Sequence, residues 1–349
     1  MIDRFDLRDG NSISRIIKGG WQLASGHSEA ASADPIGDMS AFVEAGIDTF
    51  DCADIYTGVE SIIGAFLERH RAEGGATGVR VHTKYVPDID RLGSLGKVDV
   101  ERVIDRSRER LRQDRLDMVQ FHWWDTSVPG YLEAAGWLDE LRRAGKIDQL
   151  SLTNFNTAVT RELLDTGIPI VTTQVQYSLL DARPAKGLAE LCAAHDMNLL
   201  CYGTLAGGFL SERWLGKVDP LSSGTGLENR SLTKYRLVIE EVGGWDAFQA
   251  LLEVLNAVGR RHGVSLSSVA SRWVLEQPGV AAVIVGARNA SHLARYAEWF
   301  SFELGDADLA EIETARVELT AVPGDVFDLE RDRSGRHGHI MKYNLNEGG

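Results

Sequence analysis

The chain has 349 residues, a formal net charge of −14 and three cysteines, Cys52, Cys192 and Cys201. That length suits one α/β barrel with additions, spanning 1–349 as a single domain, and the acidic balance argues against nucleic acid or an anionic membrane as partner. No stretch approaches the ~20 apolar residues of a membrane span, three cysteines make neither a disulfide framework nor a zinc pattern, and the N-terminus lacks an apolar signal-peptide core, so the cytoplasm is the expected location.

Two short segments around Arg8-Asp9-Gly10-Asn11 predict a β-hairpin over 5–17. Ile16-Ile17 leads into a first strand ending at Gly19-Gly20-Trp21, and strand and helix patterns then alternate. Helix 38–46 precedes a strand ending at Asp51, and helix 58–72 precedes strand 79–85 with Lys84 near its end. Helix 99–113 precedes strand 116–122, which ends at His122. Helix 130–143, strand 147–153, helix 156–166, strand 168–175, helix 184–195 and strand 197–202 follow. Residues 204–244, rich in Gly, Ser and charge, read as a long functional connection. Helices 245–262 and 266–276, a strand over 280–285 and helices 290–300 and 306–319 complete the pattern, before a polar, irregular tail over 323–349.

Eight strands, nearly all followed by helices, predict a parallel sheet closed into a (β/α)₈ barrel, with its active site at the C-terminal rim. The alternative, a doubly wound open sheet, often carries a G-x-G-x-x-G turn after its first strand, and none is present.

Asp51, Lys84 and His122 end three consecutive strands, and Tyr56 stands on the loop after the first of them. At a closed rim these groups converge. A tyrosine hydroxyl, with an ordinary pKa of about 10, is a weak acid at neutral pH; a nearby ammonium favours its phenolate, and a carboxylate keeps that ammonium charged and aimed. The imidazole of His122 is placed to hydrogen-bond a substrate carbonyl oxygen. A carbonyl activated in this way needs a nucleophile. No side chain offers one plainly, which points to hydride from a bound cofactor. A Schiff base on Lys84 is the other option, and the Asp51 partner disfavours it. Taken singly, Asp51 and Lys84 also fit a structural ion pair and His122 a core imidazole.

The set Asp51, Tyr56, Lys84 and His122 resembles the catalytic tetrad of the aldo-keto reductase superfamily, and the likeness runs along almost the whole chain. Gly19-Gly20-Trp21 resembles the family's first-strand segment, and Asp51-Cys52-Ala53-Asp54-Ile55-Tyr56-Thr57-Gly58-Val59-Glu60 its Asp/Tyr signature. The resemblance implies an enzyme that interconverts a carbonyl and an alcohol with NADP, NAD being the alternative. By the same resemblance Thr153, Asn154 and Gln174 hold the nicotinamide carboxamide and Tyr202 stacks on its ring. Gly203 and Leu205 belong to the turn that follows, and Gly286, Arg288 and His292 lie in the segment that holds the adenosine phosphate. Trp21, Trp123 and Trp124 are expected to wall the substrate pocket, and the tail to fold over the rim. Thr153 stands where the family usually has Ser, Gly203-Thr204 where Ser-Pro is common, and His292, Arg295 and Tyr296 depart from the usual set after Arg288. A cofactor-sensing binding protein and a non-redox lyase or isomerase stay open as alternatives. A small molecule is the expected partner, and no metal is expected.

Overall fold

The computed structural model describes residues 2–24, 32–75, 78–222, 227, 230–287 and 289–346. β1 (Arg4–Asp6) and β2 (Ser12–Ser14) pair antiparallel as the expected hairpin. Eight parallel strands then close a barrel: β3 (Ile16–Gly19), β4 (Thr49–Asp51), β5 (Arg80–Tyr85), β6 (Leu116–Phe121), β7 (Ile147–Thr153), β8 (Ile170–Gln176), β9 (Asn198–Tyr202) and β10 (Val280–Val285). β10 hydrogen-bonds back to β3, so the barrel has no free edge.

The helices between them are α1 (Pro35–Glu44), α2 (Val59–Ala72), α3 (Lys97–Leu111), α4 (Tyr131–Arg143), α5 (Thr157–Asp165) and α6 (Leu188–Ala194). Between β9 and β10 lie α7 (Arg230–Glu241), α8 (Gly244–His262) and α9 (Leu266–Leu275). α10 (Leu293–Glu298), α11 (Asp306–Val317), α12 (Asp328–Arg331) and α13 (Arg336–His339) follow β10. Apolar residues at helical spacing turn each long helix onto the barrel: Ile63, Phe66 and Leu67 of α2, and Val100, Ile104 and Leu111 of α3, are buried. Local caps fix the starts. Asp34 accepts the Gly37 N–H ahead of Pro35, and Asn156 accepts the Val159 N–H at 3.0 Å. Among the described residues, no helix is long and apolar enough to cross a membrane.

Inside the barrel, Ile17, Met118, Val171, Leu200, Ala281 and Ala282 pack with Leu7 and Ile13 of the hairpin into a separate apolar cluster. The hairpin thus plugs the end opposite the chemistry. Two differences from the sequence reading stand out. The 204–244 connection contains α7, whose Leu232, Tyr235, Val238 and Ile239 are buried; the Gly- and Ser-rich residues ahead of it obscure that stripe. The tail is also more ordered than its polar composition suggests, with α12 and α13 burying Glu330 and His337.

Candidate active site

Strand register brings the chemistry together. Asp51 sits opposite His82, Lys84 opposite Gln120, and Thr153 opposite Gln174. Because alternate residues face the lumen, Gln120 of β6 and His122, the residue just past its end, project inward one above the other. Gly20 lets the Trp21 turn pass close by: its N–H donates to the Asp51 carbonyl at 2.7 Å, and a Cβ there would meet Val59 at 2.7 Å.

Asp51 anchors the site. Its Oδ2 accepts from the Lys84 ammonium at 2.7 Å, and its Oδ1 accepts from the side-chain amides of Gln120 and Gln174, each at 2.7 Å. Lys84 also donates to the Cys52 carbonyl at 2.8 Å. Burial opposes its charge, but Asp51 and Tyr56 outweigh that, and its pKa rises above the ordinary lysine value. A cation held this firmly is a poor amine nucleophile.

The Lys84 ammonium lies 5.1 Å from the centre of the Tyr56 ring, which packs 4.9 Å from Trp21. Burial pushes the Tyr56 hydroxyl up, Lys84 pulls it down, and the net direction is upward. The expectation of a lowered tyrosine is therefore not met in the free protein. Desolvation outweighs the single nearby cation.

His122 is buried, and its Nδ1 meets the Thr153 carbonyl at 3.0 Å. A carbonyl only accepts, so Nδ1 carries the hydrogen. Burial, and after it the positive charge of Arg331, push the imidazole down to about 3, so the ring is neutral. Its Nε2 is then a bare lone pair, buried and without a partner. It presents an acceptor to the site, where the sequence reading had a group bonding a carbonyl oxygen.

The proposed cofactor residues also converge. The Tyr202 hydroxyl donates to Asn154 Oδ1 at 2.9 Å, and Asn154 takes the left-handed backbone (φ 62°) that asparagine tolerates. Gln174 spends its amide nitrogen on Asp51 and Gln120. These bonds leave Gln174 Oε1 as an acceptor and Asn154 Nδ2 as a donor, the complement of a carboxamide, so the residues present fit a nicotinamide. Thr153 bonds its hydroxyl to the Gln174 carbonyl at 3.2 Å. Gly203 (φ +70°) lies under the Tyr235 hydroxyl, which leaves no room for a side chain there, and Leu205 is half-buried.

At the other cofactor segment, Lys18 Nζ donates to the carbonyl of Ala287, next to Gly286, at 2.9 Å, and the Ala290 N–H donates to Asp38 at 3.0 Å. His292 is exposed, and Arg288 lies outside the described residues.

The expected aromatic wall divides. Trp21 faces Tyr56, and Trp124 meets His122 edge-on at 4.4 Å. Trp123 is fully buried, donates its indole N–H to the Val128 carbonyl at 3.1 Å, and packs in the core on Phe121. The tail supplies what the sequence reading did not assign: Phe327 lies 5.6 Å from His122, and Tyr343 lies 5.1 Å from Trp124. Gln120 was also unassigned, although its place two residues before His122 was a usable signal. The last described residue of the tail is fastened across the rim: Asn346 donates its side-chain amide to the Val86 carbonyl at 2.8 Å and its backbone N–H to Asp88 at 3.0 Å. His337 pairs with Glu241 at 3.3 Å.

The model of the aldo/keto reductase family matches residues 15–316. The chain is 28% identical to flagellar radial spoke protein 5 of Chlamydomonas reinhardtii over 88% of its own length, spanning 64% of that protein. It is 26% identical to aldo-keto reductase YhdN of Bacillus subtilis (strain 168), covering 87% of this chain and 90% of the relative. Its fold superposes on a glycerol dehydrogenase of Gluconobacter oxydans with a TM-score of 0.75, at 22% identity and over 93% and 98% of the two chains. With its closed barrel and the carboxylate, lysine, tyrosine and histidine gathered at one rim, the chain belongs to the aldo/keto reductase family and is an oxidoreductase of carbonyls and alcohols.

Proposed function

We propose that the protein reduces an aldehyde or ketone to its alcohol with NADPH, or runs the reverse, with Tyr56 as the general acid. Asn154, Gln174 and Tyr202 would hold a reduced nicotinamide, which would supply the hydride for the carbonyl carbon. The convergence of a charged Lys84, Tyr56 and the bare Nε2 of His122 carries the reading.

Tyr56 hydrogen-bonds the carbonyl oxygen and gives it a proton as negative charge develops there. Lys84, held charged by Asp51, stabilises the phenolate that remains. Gln120 and Gln174 fix the carboxylate that aims the lysine. Once Tyr56 has given its proton, the alcohol O–H can turn to the bare Nε2 of His122, which holds the product; in the oxidative direction the O–H turns from Nε2 to the Tyr56 phenolate, which takes the proton. Trp21 and Trp124 wall the mouth with apolar faces suited to a sugar or ring substrate. Arg288, by its place in the sequence after Gly286 and Ala287, supports NADP over NAD, since a guanidinium suits a 2′-phosphate. Work on a small molecule in the cytoplasm fits the acidic composition.

Titration of the purified protein with NADPH and with NADH, followed by nicotinamide fluorescence, tests this before a panel of aldehydes, ketones and sugars is added. The expected result is tighter NADPH binding and loss of its fluorescence with one class of carbonyl. Binding without any oxidation would favour a cofactor-sensing role, and no binding would contradict the proposal.

A further inference from the structure

α12 sends two charged side chains inward, and only one of them is matched by the protein. Glu330 is fully buried and meets Arg183 at 3.3 Å and Lys234 at 3.5 Å. Arg331, the next residue, turns towards the active-site rim. Its Nη2 donates to the Trp123 carbonyl at 3.0 Å, while Nε and Nη1 are buried without a hydrogen-bond partner. The guanidinium lies 5.4 Å from the centre of the Phe327 ring and 5.6 Å from that of Phe155, the same two rings that border His122.

The neighbouring carboxylates are committed elsewhere. Glu330 is held by Arg183 and Lys234. Asp328 accepts from the Asn156 amide and the Asp325 N–H, and Asp125 from the Ser127 N–H and hydroxyl. Among the described residues, none makes an ion pair with Arg331. Burial pushes Arg331 down only to about 10, so it stays charged at neutral pH. Two open donors on a desolvated guanidinium are costly unless something answers them.

We propose that Arg331 anchors a carboxylate on the substrate, so that the carbonyl compound is a keto or aldehyde acid held between Tyr56 and the tail. This rests on the carbonyl-oxidoreductase reading. A carboxylate fits better than a phosphate, because a single unpaired cation set between Phe155 and Phe327 balances one negative charge and leaves a dianion uncompensated. On a chain of net charge −14, an acid is held only where such a local cation is built in.

The test compares acids with their neutral isosteres on the full chain. Benzoate and benzamide are titrated without cofactor, followed by tryptophan fluorescence. NADPH oxidation is then measured with 4-carboxybenzaldehyde and 4-carbamoylbenzaldehyde. Wild-type protein is expected to favour the acid in both assays, and Arg331→Met to lower that preference by about 10- to 100-fold, the range of a charged hydrogen bond. Should that variant fail to fold, Arg331→Gln decides: a lost preference supports the assignment, and an unchanged one overturns it. Equal binding of benzoate and benzamide to the wild type, or an acid preference that survives in folded Arg331→Met, would overturn it too. Failure of both aldehydes to oxidise NADPH would instead count against the oxidoreductase reading, and the benzoate comparison would still judge Arg331.

Discussion

At the N-terminal end of the barrel, Met118 and Leu200 meet Leu7 and Ile13 of the hairpin in an apolar plug. Two residues further along the same strands, Gln120 bonds to Asp51, and Tyr202 bonds to Asn154. Both ends use the same inward face and the same alternation, so geometry alone does not separate them. Chemistry does. The plugged end buries methyl and methylene groups that need no partner, and it stabilises the barrel by removing apolar surface from water. The open end buries charge and amides that have to satisfy one another. Asp51, with Lys84, Gln120 and Gln174, does so almost completely, and the buried groups without a partner include His122 Nε2 and two nitrogens of Arg331, the ones the proposals above give to a substrate.

Substitutions at the two ends should therefore separate turnover from stability. The largest effect is expected from Lys84→Met, which removes the cation that supports Tyr56 and leaves Asp51 without its charge partner; kcat should fall by about 10²- to 10⁴-fold in steady-state assays. At the other end, Met118→Ala should cost about 2–5 kcal/mol in urea unfolding, while the folded enzyme keeps its wild-type kcat. A large loss of kcat in Met118→Ala would break the contrast.

The tail sharpens it. Burial pushes the Glu330 carboxyl up, but Lys234 and Arg183 outweigh that and hold it at about 2. Its folded value lies below the ordinary ~4.3, so its stabilising contribution is present above that pH and is lost as the pH falls towards 2. Tail docking, followed by the fluorescence of Trp124 beside Tyr343, should weaken across that window, and Glu330→Gln should flatten the change. The smallest effect is an absence. With His122 at about 3, the pH profile of carbonyl reduction should show no inflection near 6.5, where an ordinary histidine titrates. An inflection there that disappears in His122→Asn would show that the imidazole titrates in the working range.

Much of the rim could be read from the sequence because each residue closes a strand whose apolar pattern is plain. Asp51 follows Thr49-Phe50, Lys84 ends a run of alternating residues, and His122 follows Val119-Gln120-Phe121. What could not be read depends on contacts between segments far apart. Arg331 lies in a polar tail with no periodicity, and its place beside His122 follows from the docking of Glu330 onto Arg183, 147 positions earlier. α7 is hidden by the glycines and serines ahead of it, although its apolar residues recur at helical spacing. Trp123 and Trp124 are adjacent in sequence, and only the packing of Phe121 and Val128 sends the first into the core and leaves the second beside the imidazole. His122's hydrogen was equally hidden, because it is fixed by a carbonyl on the next strand.

The most direct test of the central claim is a single-turnover measurement of Tyr56→Phe beside the wild type, each loaded with NADPH and mixed with a carbonyl that the wild type reduces. The expected result is unchanged NADPH affinity with hydride transfer slowed by about 10²- to 10⁴-fold, the range for loss of a general acid. Transfer at the wild-type rate in Tyr56→Phe would contradict the assignment of Tyr56 as the acid.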